Sequence, residues 1–404
     1  MSGKEAKAVV PKLRFPEFRE AVAWEVKRLG EIVEELQDGN WIESKDQSSV
    51  GIRLIQTGNI GVGGFIQKNN NARYISEETF KRLNCTEIFP GDCLVSRLPN
   101  PVGRACIIPA IKERMITAVD CAIVRFDKNI VVPYIFILLS QTPAYLSAAE
   151  SHAFGSTRKR ISRGNLSKLK ISIPSLPEQQ KIAHCLSSLD EVIGLQAKKV
   201  QALKQHKKGL MQQLFPAEGE TTPRLRFPEF REAGAWDKQR IGDLLSLEYG
   251  APLPEGSRLE GDIPVIGSNG VVGYHSEPLI KGPAIVIGRK GSAGQVSWID
   301  SPCYPIDTTF FVDLSRKDCQ LRFIYLLLER HRLQELVREG GVPGLNRDDV
   351  YAVKATISKH TEQQKIAHCL SSLDDVIGLE SHKLDALKNL KKGLMQQLFP
   401  QDVP

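Results

Sequence analysis

Residues 153–170, AFGSTRKRISRGNLSKLK, carry Arg158, Lys159, Arg160, Arg163, Lys168 and Lys170 and no acid, a local charge of +6. Gly155, Ser156 and Thr157 stand just before that run and add small side chains and backbone N–H donors. Cations beside short donors suit contact with phosphate, and arginine also fits the edge of guanine bidentately. The competing reading is a solvated basic loop. The corresponding stretch of the second half, REGGVPGLNRDD (338–349), is far less basic and offers Asn346 and Arg347. Turn-rich segments add Gln56, Asn59, Arg97, Asn100 and Arg104 in the first half. In the second half they add Ser268, Asn269, Tyr274, Arg289, Lys290 and Ser292. Asn and Gln can pair bidentately with adenine. With Thr157, Arg158, Lys159, Arg160 and Arg163, these residues form the expected DNA-contacting set.

Catalytic patterns are missing. GNIGVGGF (58–65) lacks the G-x-G-x-x-G spacing and suits a hairpin better, and GPAIVIGRKGS (282–292) has no G-K-[ST]. There is no N-P-P-Y-like loop, no P-D…E-x-K pattern and no H-E-x-x-H. The eight cysteines never form C-x-x-C and have no histidines at zinc-finger spacing. His184 and His368, beside Cys185 and Cys369, read as packed or solvated helix residues rather than as metal ligands. No catalytic residue, metal or cofactor is therefore expected on this chain.

The candidate groups need a frame, and the chain writes its frame twice. EQQKIAHCLSSLD runs from Glu178 to Asp190 and again from Glu362 to Asp374. Over 178–216 and 362–400, 31 of 39 positions are identical without a gap, at an offset of 184. PKLRFPEFRE from Pro11 and PRLRFPEFRE from Pro223 repeat at an offset of 212. A change of offset means that the shared segments bracket inserts of different length. LMQQLFP precedes the second lead-in segment and recurs at 394–400. The first lead-in segment is therefore expected to meet the C-terminal helix, with the termini close and the chain approximately two-fold symmetric.

Apolar residues in the shared segment recur at spacings of four and three: Ile182, Leu186, Leu189, Ile193, then Leu203, and Ile366, Leu370, Leu373, Ile377, then Leu387. That is the seam of a long coiled-coil helix, interrupted by Gln196/Glu380 and Lys207/Lys391, polar positions that can fix register. Pro177 suits a first turn, Thr361–Gln364 fits a capping box, and Pro216 and Pro400 end the helices. About 38 residues at 1.5 Å each make a rod of roughly 57 Å. Two-fold symmetry predicts an antiparallel pair with one insert domain at each end.

The inserts read as α+β. GIRLIQTGNIGVGGF, GDCLVSRLPNPVGRACII and AVDCAIVRF give strand and turn signals in the first, and IPVIGSNGVVGYH, GPAIVIGRKGSAGQVSWI and PIDTTFFV in the second. Each insert then carries one apolar helical stretch, VVPYIFILLSQTPAYL or LRFIYLLLERHRLQEL, and a short extended run, LKISI or VKATI. Arg97 nearly matches Arg289, and Asp120 resembles Asp307. At 404 residues, 41% apolar and 25% charged, the composition is that of soluble globular protein, and the net charge of +7 leans toward a polyanionic partner. The N-terminal stretch has no secretory apolar region, and the longest apolar run, Ile130–Leu139, holds Pro133 and is too short to span a bilayer. Free thiols in a reducing cytosol, with no membrane contact, are the expectation.

The alternation of two variable inserts with two near-identical helices resembles the specificity subunit of type I restriction–modification systems. The resemblance covers nearly the whole chain. It rests on LRFPEFRE (13–20 and 225–232), the twin EQQKIAHCLSSLD, the twin KKGLMQQLFP (207–216 and 391–400), GDCLVSRLPNPVGR and PAIVIGRKGSAG. It implies two mixed α/β target-recognition domains, 11–175 and 217–358, separated by an antiparallel pair of long coiled-coil helices, 176–216 and 359–404, in a pseudo-two-fold α+β fold. It also implies a cytoplasmic, non-catalytic chain that reads a bipartite target in double-stranded DNA. Two modification (methyltransferase) subunits and two restriction subunits would join it. S-adenosylmethionine, ATP and magnesium would sit on those partners, and the assembly would methylate adenine N6 and cleave DNA with ATP. Three alternatives stay open: a coiled-coil adaptor with protein-binding heads, a standalone DNA enzyme with a cryptic site, and a specificity subunit of a methylation-only defence system.

Overall fold

Cys121–Phe126 reads CAIVRF and Cys93–Ser96 reads CLVS, apolar on both faces, which is what a strand buried between two layers requires. In the computed structural model both lie inside a four-stranded antiparallel sheet, ordered Val33–Asp38, Cys121–Phe126, Cys93–Ser96, Ala105–Ile107. The structure describes residues 9–155, 159–315, 318–337 and 344–400. The chain forms two compact units, one of residues up to 196 with those from 383 onward, the other of residues 197–382.

In the first unit the sheet's faces serve different layers. Cys93, Val95, Ala122 and Val124 face the helices Pro133–Leu139 and Pro143–Ser151 and the long helix, through Ile135, Phe136, Leu138, Ile182 and Leu186. Leu94, Cys121 and Ile123 face the other way, onto Ile55, Ile88 and Met115 of a five-stranded sheet. GNIGVGGF begins within a short 3-10 helix (Thr57–Asn59) and closes as a tight loop through an antiparallel bridge between Ile60 and Phe65.

The second unit repeats the plan. Its four-stranded sheet is ordered Ser246–Tyr249, Thr309–Asp313, Ala284–Gly288, Val296–Ile299. Ile285, Ile287, Phe310 and Val312 pack on the helix Leu321–Arg330 and on Ile366 and Leu370. A three-stranded sheet (Gly270–His275, Ile263–Gly267, Tyr304–Pro305) stands where the first unit has five strands. Residues 170–173 and 354–357 form strands that pair with Glu25–Arg28 and Asp237–Arg240.

The apolar stretch VVPYIFILLSQTPAYL, expected as one helix, is two. Pro143 cannot donate to the preceding turn, and Thr142 caps the second helix by accepting from the Tyr145 N–H at 3.3 Å. The long helices are Leu176–Leu214 and His360–Leu398, 39 residues each. The second starts at His360, so Thr361 lies inside it and the expected capping box is absent from its start.

Within each unit, segments of the two long helices run antiparallel. In the first, Lys391 donates to Asp190 at 2.6 Å, while Ile182 and Leu186 share a core with Leu398 and Phe399. In the second, Lys199 meets Glu380 at 2.5 Å and Lys207 meets Asp374 at 2.7 Å. The polar seam positions are thus inter-helix ion pairs, and Gln196 is buried. Ile182, Leu186, Ile366 and Leu370 dock into domain cores, while Leu189, Ile193, Leu203, Leu373, Ile377 and Leu387 are half-buried. The first lead-in segment meets the C-terminal helix as the repeat predicted. The Leu13 N–H donates to Gln397 O at 3.0 Å, and the Leu225 N–H donates to Gln213 O at 2.9 Å in the second unit.

Candidate nucleic-acid interface

Three of the residues expected at a DNA surface belong to the interior instead. Arg104, 8% exposed, donates from Nε to Ile60 O at 2.7 Å, from Nη1 to the carbonyls of Leu98, Pro99 and Pro101, and from Nη2 to Thr57 O at 2.9 Å. It ties the hairpin after Cys93–Ser96 to the Thr57–Asn59 turn. Arg97 is ion-paired with Asp38 and donates from Nε to Ile161 O at 2.9 Å. Burial lowers the pKa of both guanidiniums, and these acceptors hold the charge in place. Asn59 accepts from the Gln56 N–H and donates to Ile66 O, both at 3.0 Å, which closes its own turn. These bonds turn the donors of all three side chains inward, onto carbonyls and a carboxylate.

Gln56, the inward-bonded Asn59 and the missed residues Arg53, Lys68, Asn71 and Arg73 line a polar cleft of about 320 Å³ in the first unit. Arg53 is itself tied down, donating to Lys68 O at 3.2 Å and lying 3.6 Å from Glu113. The signal for the others was the polar run QKNNNAR (67–73) between strands. Asn100 is exposed, in the left-handed region at φ 81°. In the basic segment, Lys159 is ion-paired with Glu150 at 3.0 Å and Arg160 with Asp120 at 3.2 Å, so part of the local charge is compensated. Arg163 is exposed at the start of the helix Arg163–Lys168. Thr157 and Arg158 lie outside the described residues.

The second unit gathers most of its candidates at one place. Thr308 O accepts from the Ser268 hydroxyl at 2.5 Å, the Arg289 N–H at 2.9 Å and the Lys290 N–H at 3.2 Å. The Ser292 hydroxyl donates to Asn269 Oδ1 at 3.4 Å. The Leu345 N–H donates to Arg289 O at 2.9 Å, which brings Asn346 and Arg347 alongside. Asn346 caps the helix Arg347–Ala352, accepting from the Asp348 N–H at 2.9 Å. Tyr274 is exposed but stands opposite Pro264, at the far end of its hairpin from the Ser268–Asn269 turn. No local pattern in the sequence marks Tyr249. Its ring lies 5.1 Å from the Arg289 guanidinium and 5.4 Å from that of Arg347.

On the long helices, some apolar residues identical in both copies are exposed. Val192 and Leu195 are 47% and 66% exposed, and their counterparts Val376 and Leu379 are 40% and 71% exposed. Among the described residues, no cluster of three or more His, Cys, Asp or Glu is placed to hold a metal ion, and no helix is long and apolar enough to cross a membrane.

Comparison with known proteins agrees with this layout. The family model described as "Type I restriction modification DNA specificity domain" matches residues 21–205 and again 234–389. The MjaX type I restriction enzyme specificity subunit of Methanocaldococcus jannaschii is 24% identical over 93% of this chain and 92% of its own length. The MjaVIII specificity subunit of the same organism is 22% identical over 66% of this chain and 69% of its own. The crystal structure of a type I restriction–modification S subunit from M. genitalium superposes with a TM-score of 0.67 at 17% identity, covering 98% of this chain and all of that one. A chain from a structure of a type I restriction–modification complex assembly gives a TM-score of 0.52 at 15% identity, over 94% of this chain and 98% of its own. With two family-model matches that together span most of its length, this chain belongs to the type I restriction–modification DNA specificity family.

Proposed function

We propose that this chain is the non-catalytic, cytoplasmic subunit that gives a type I restriction–modification complex its address on double-stranded DNA. Residues 11–175 and 217–358 would be the target-recognition domains, each reading half of a bipartite target. Residues 176–216 and 359–404 would be the spacing helices. Two modification subunits, carrying S-adenosylmethionine, would dock on the helices. Two restriction subunits, using ATP and magnesium, would complete the assembly.

The observation that carries this reading is the contrast between frame and heads. The helices agree at 31 of 39 aligned positions, and the shared residues include exposed ones that the frame itself does not need, Val192/Val376 and Leu195/Leu379. Exposed apolar positions kept alike in both copies suit two copies of one partner. The heads share a sheet order and little sequence, as two unlike half-sites would require. Half-sites about one helical turn of DNA apart, roughly 34–36 Å, face the same side of the duplex.

The test is adenine methylation across the genome of a host expressing this chain with its neighbouring methyltransferase, read by single-molecule sequencing. The expected result is a two-part motif with a fixed gap, lost when this chain is deleted. Methylation that is unchanged by the deletion overturns the proposal.

A further inference from the structure

Arg97 and Arg289 occupy one place in the two heads. Each follows the first strand of a hairpin, Cys93–Ser96 with Ala105–Ile107 or Ala284–Gly288 with Val296–Ile299, and each backbone is held the same way. Their N–H groups donate to Asp120 O and Thr308 O, both at 2.9 Å, and their carbonyls accept from Ile161 and Leu345 at 3.1 and 2.9 Å. The facing position corresponds too. Gly39 and Gly250 donate to Cys121 O and Thr309 O at 3.0 and 3.1 Å, which makes Asp38 and Tyr249 equivalent.

The charges differ at that place. Asp38 neutralises Arg97, which is 6% exposed and donates to carbonyls besides. Tyr249 offers Arg289 only a ring face, and Arg347 comes to the same ring. Among the described residues, neither guanidinium donates a hydrogen bond or meets a carboxylate, and Arg347 Nε is buried without a partner. Tyr249 is 49% exposed, and Lys290 next to Arg289 is exposed as well. Two like charges drawn to one ring repel each other, and a buried donor left without an acceptor costs free energy. An anion with several acceptor oxygens removes both penalties.

We propose that Arg289 and Arg347, held on Tyr249, form a phosphate-binding site for the DNA backbone that the first unit lacks. The proposal rests on the DNA-binding reading above and adds that the two heads grip DNA unequally. The internal copy supplies the variant. Tyr249→Asp gives the second head the pairing that Asp38 already makes in the first, and the double variant Arg289→Gln/Arg347→Gln removes the charges from side chains that make no hydrogen bond.

The experiment measures binding of the full chain to mixed-sequence duplex DNA at several salt concentrations, with a thermal melt to confirm folding. For each variant, affinity should fall roughly tenfold at about 0.1 M salt, and the slope of log K against log salt should flatten by about one for Tyr249→Asp. Folded variants with wild-type affinity and slope overturn the phosphate site and leave DNA binding standing. Affinity lost at unchanged slope also overturns it, since a backbone contact must release counterions. A wild-type chain that binds no duplex at any salt overturns this proposal together with the DNA reading.

Discussion

Glu178 and Glu362 are 1% and 2% exposed, and each receives a guanidinium from its lead-in segment. Arg14 donates to Glu178 at 2.9 and 2.5 Å, and Arg226 donates to Glu362 at 2.7 and 2.8 Å. The next residues, Gln179 and Gln363, clamp the approach to a domain helix by accepting from Val132 and Gln320 N–H groups, both at 2.9 Å. Removing one partner of such a pair strands the other as a buried charge. Arg14→Ala should therefore lower unfolding stability by about 3 kcal/mol, read from urea denaturation, and Arg226→Ala should do the same. His331 acts in the opposite sense. Burial first, and Arg330 second, push its pKa below the usual value, so the unfolded chain binds the proton more readily. Its contribution is fully present above pH about 6.5 and is lost as the pH falls through the lower folded value. Between pH 7.5 and 5, the urea midpoint of wild type should drop more than that of His331→Gln.

The elements are joined by the acid that closes the thirteen-residue repeat. Asp190 receives Lys391 from the opposite long helix and the Tyr134 hydroxyl from a domain helix. Asp374 receives Lys207 at 2.7 Å and Arg322 at 2.9 Å. One carboxylate per unit thus ties both long helices to a head and fixes their register. Asp190→Lys should destabilise the first unit by roughly 1 kcal/mol, since the pair is only partly buried. Adding Lys391→Asp should restore part of that loss, with the Tyr134 contact still missing. A double-mutant cycle by thermal melting measures the coupling, and additive effects would show that the pair fixes nothing.

At the scale of the whole molecule, the proposed role makes the long helices a ruler. Four residues inserted into both helices should lengthen the gap between half-sites and leave each half-site sequence unchanged, as read from the methylated motif. An unchanged gap would refute the ruler. The duplicated frame was legible in the sequence because it is built from local rules: a seam repeating every three or four residues, prolines at its ends, and a lead-in segment copied at a constant offset. The strands were legible because CAIVRF and AIVIG carry enough buried apolar residues to declare themselves. The break at Pro143 and the start at His360 are not legible there, since helix ends depend on which neighbour satisfies the terminal N–H and carbonyl groups.

The candidate site was less legible. A basic run announces charge, but charge alone does not say where a guanidinium spends its hydrogen bonds. Arg97 and Arg289 look alike in sequence, and strand pairing alone gives one a carboxylate and the other an exposed tyrosine. Arg104 looks like a free arginine until five carbonyls close around it. The sequence by itself determined the duplication, the two long helices, the α+β heads and the family, because periodicity and repetition are written along the chain. Only the tertiary structure decided which arginines are framework and which remain open to a ligand, because those partners come from strands far apart in the chain and meet only through sheet register.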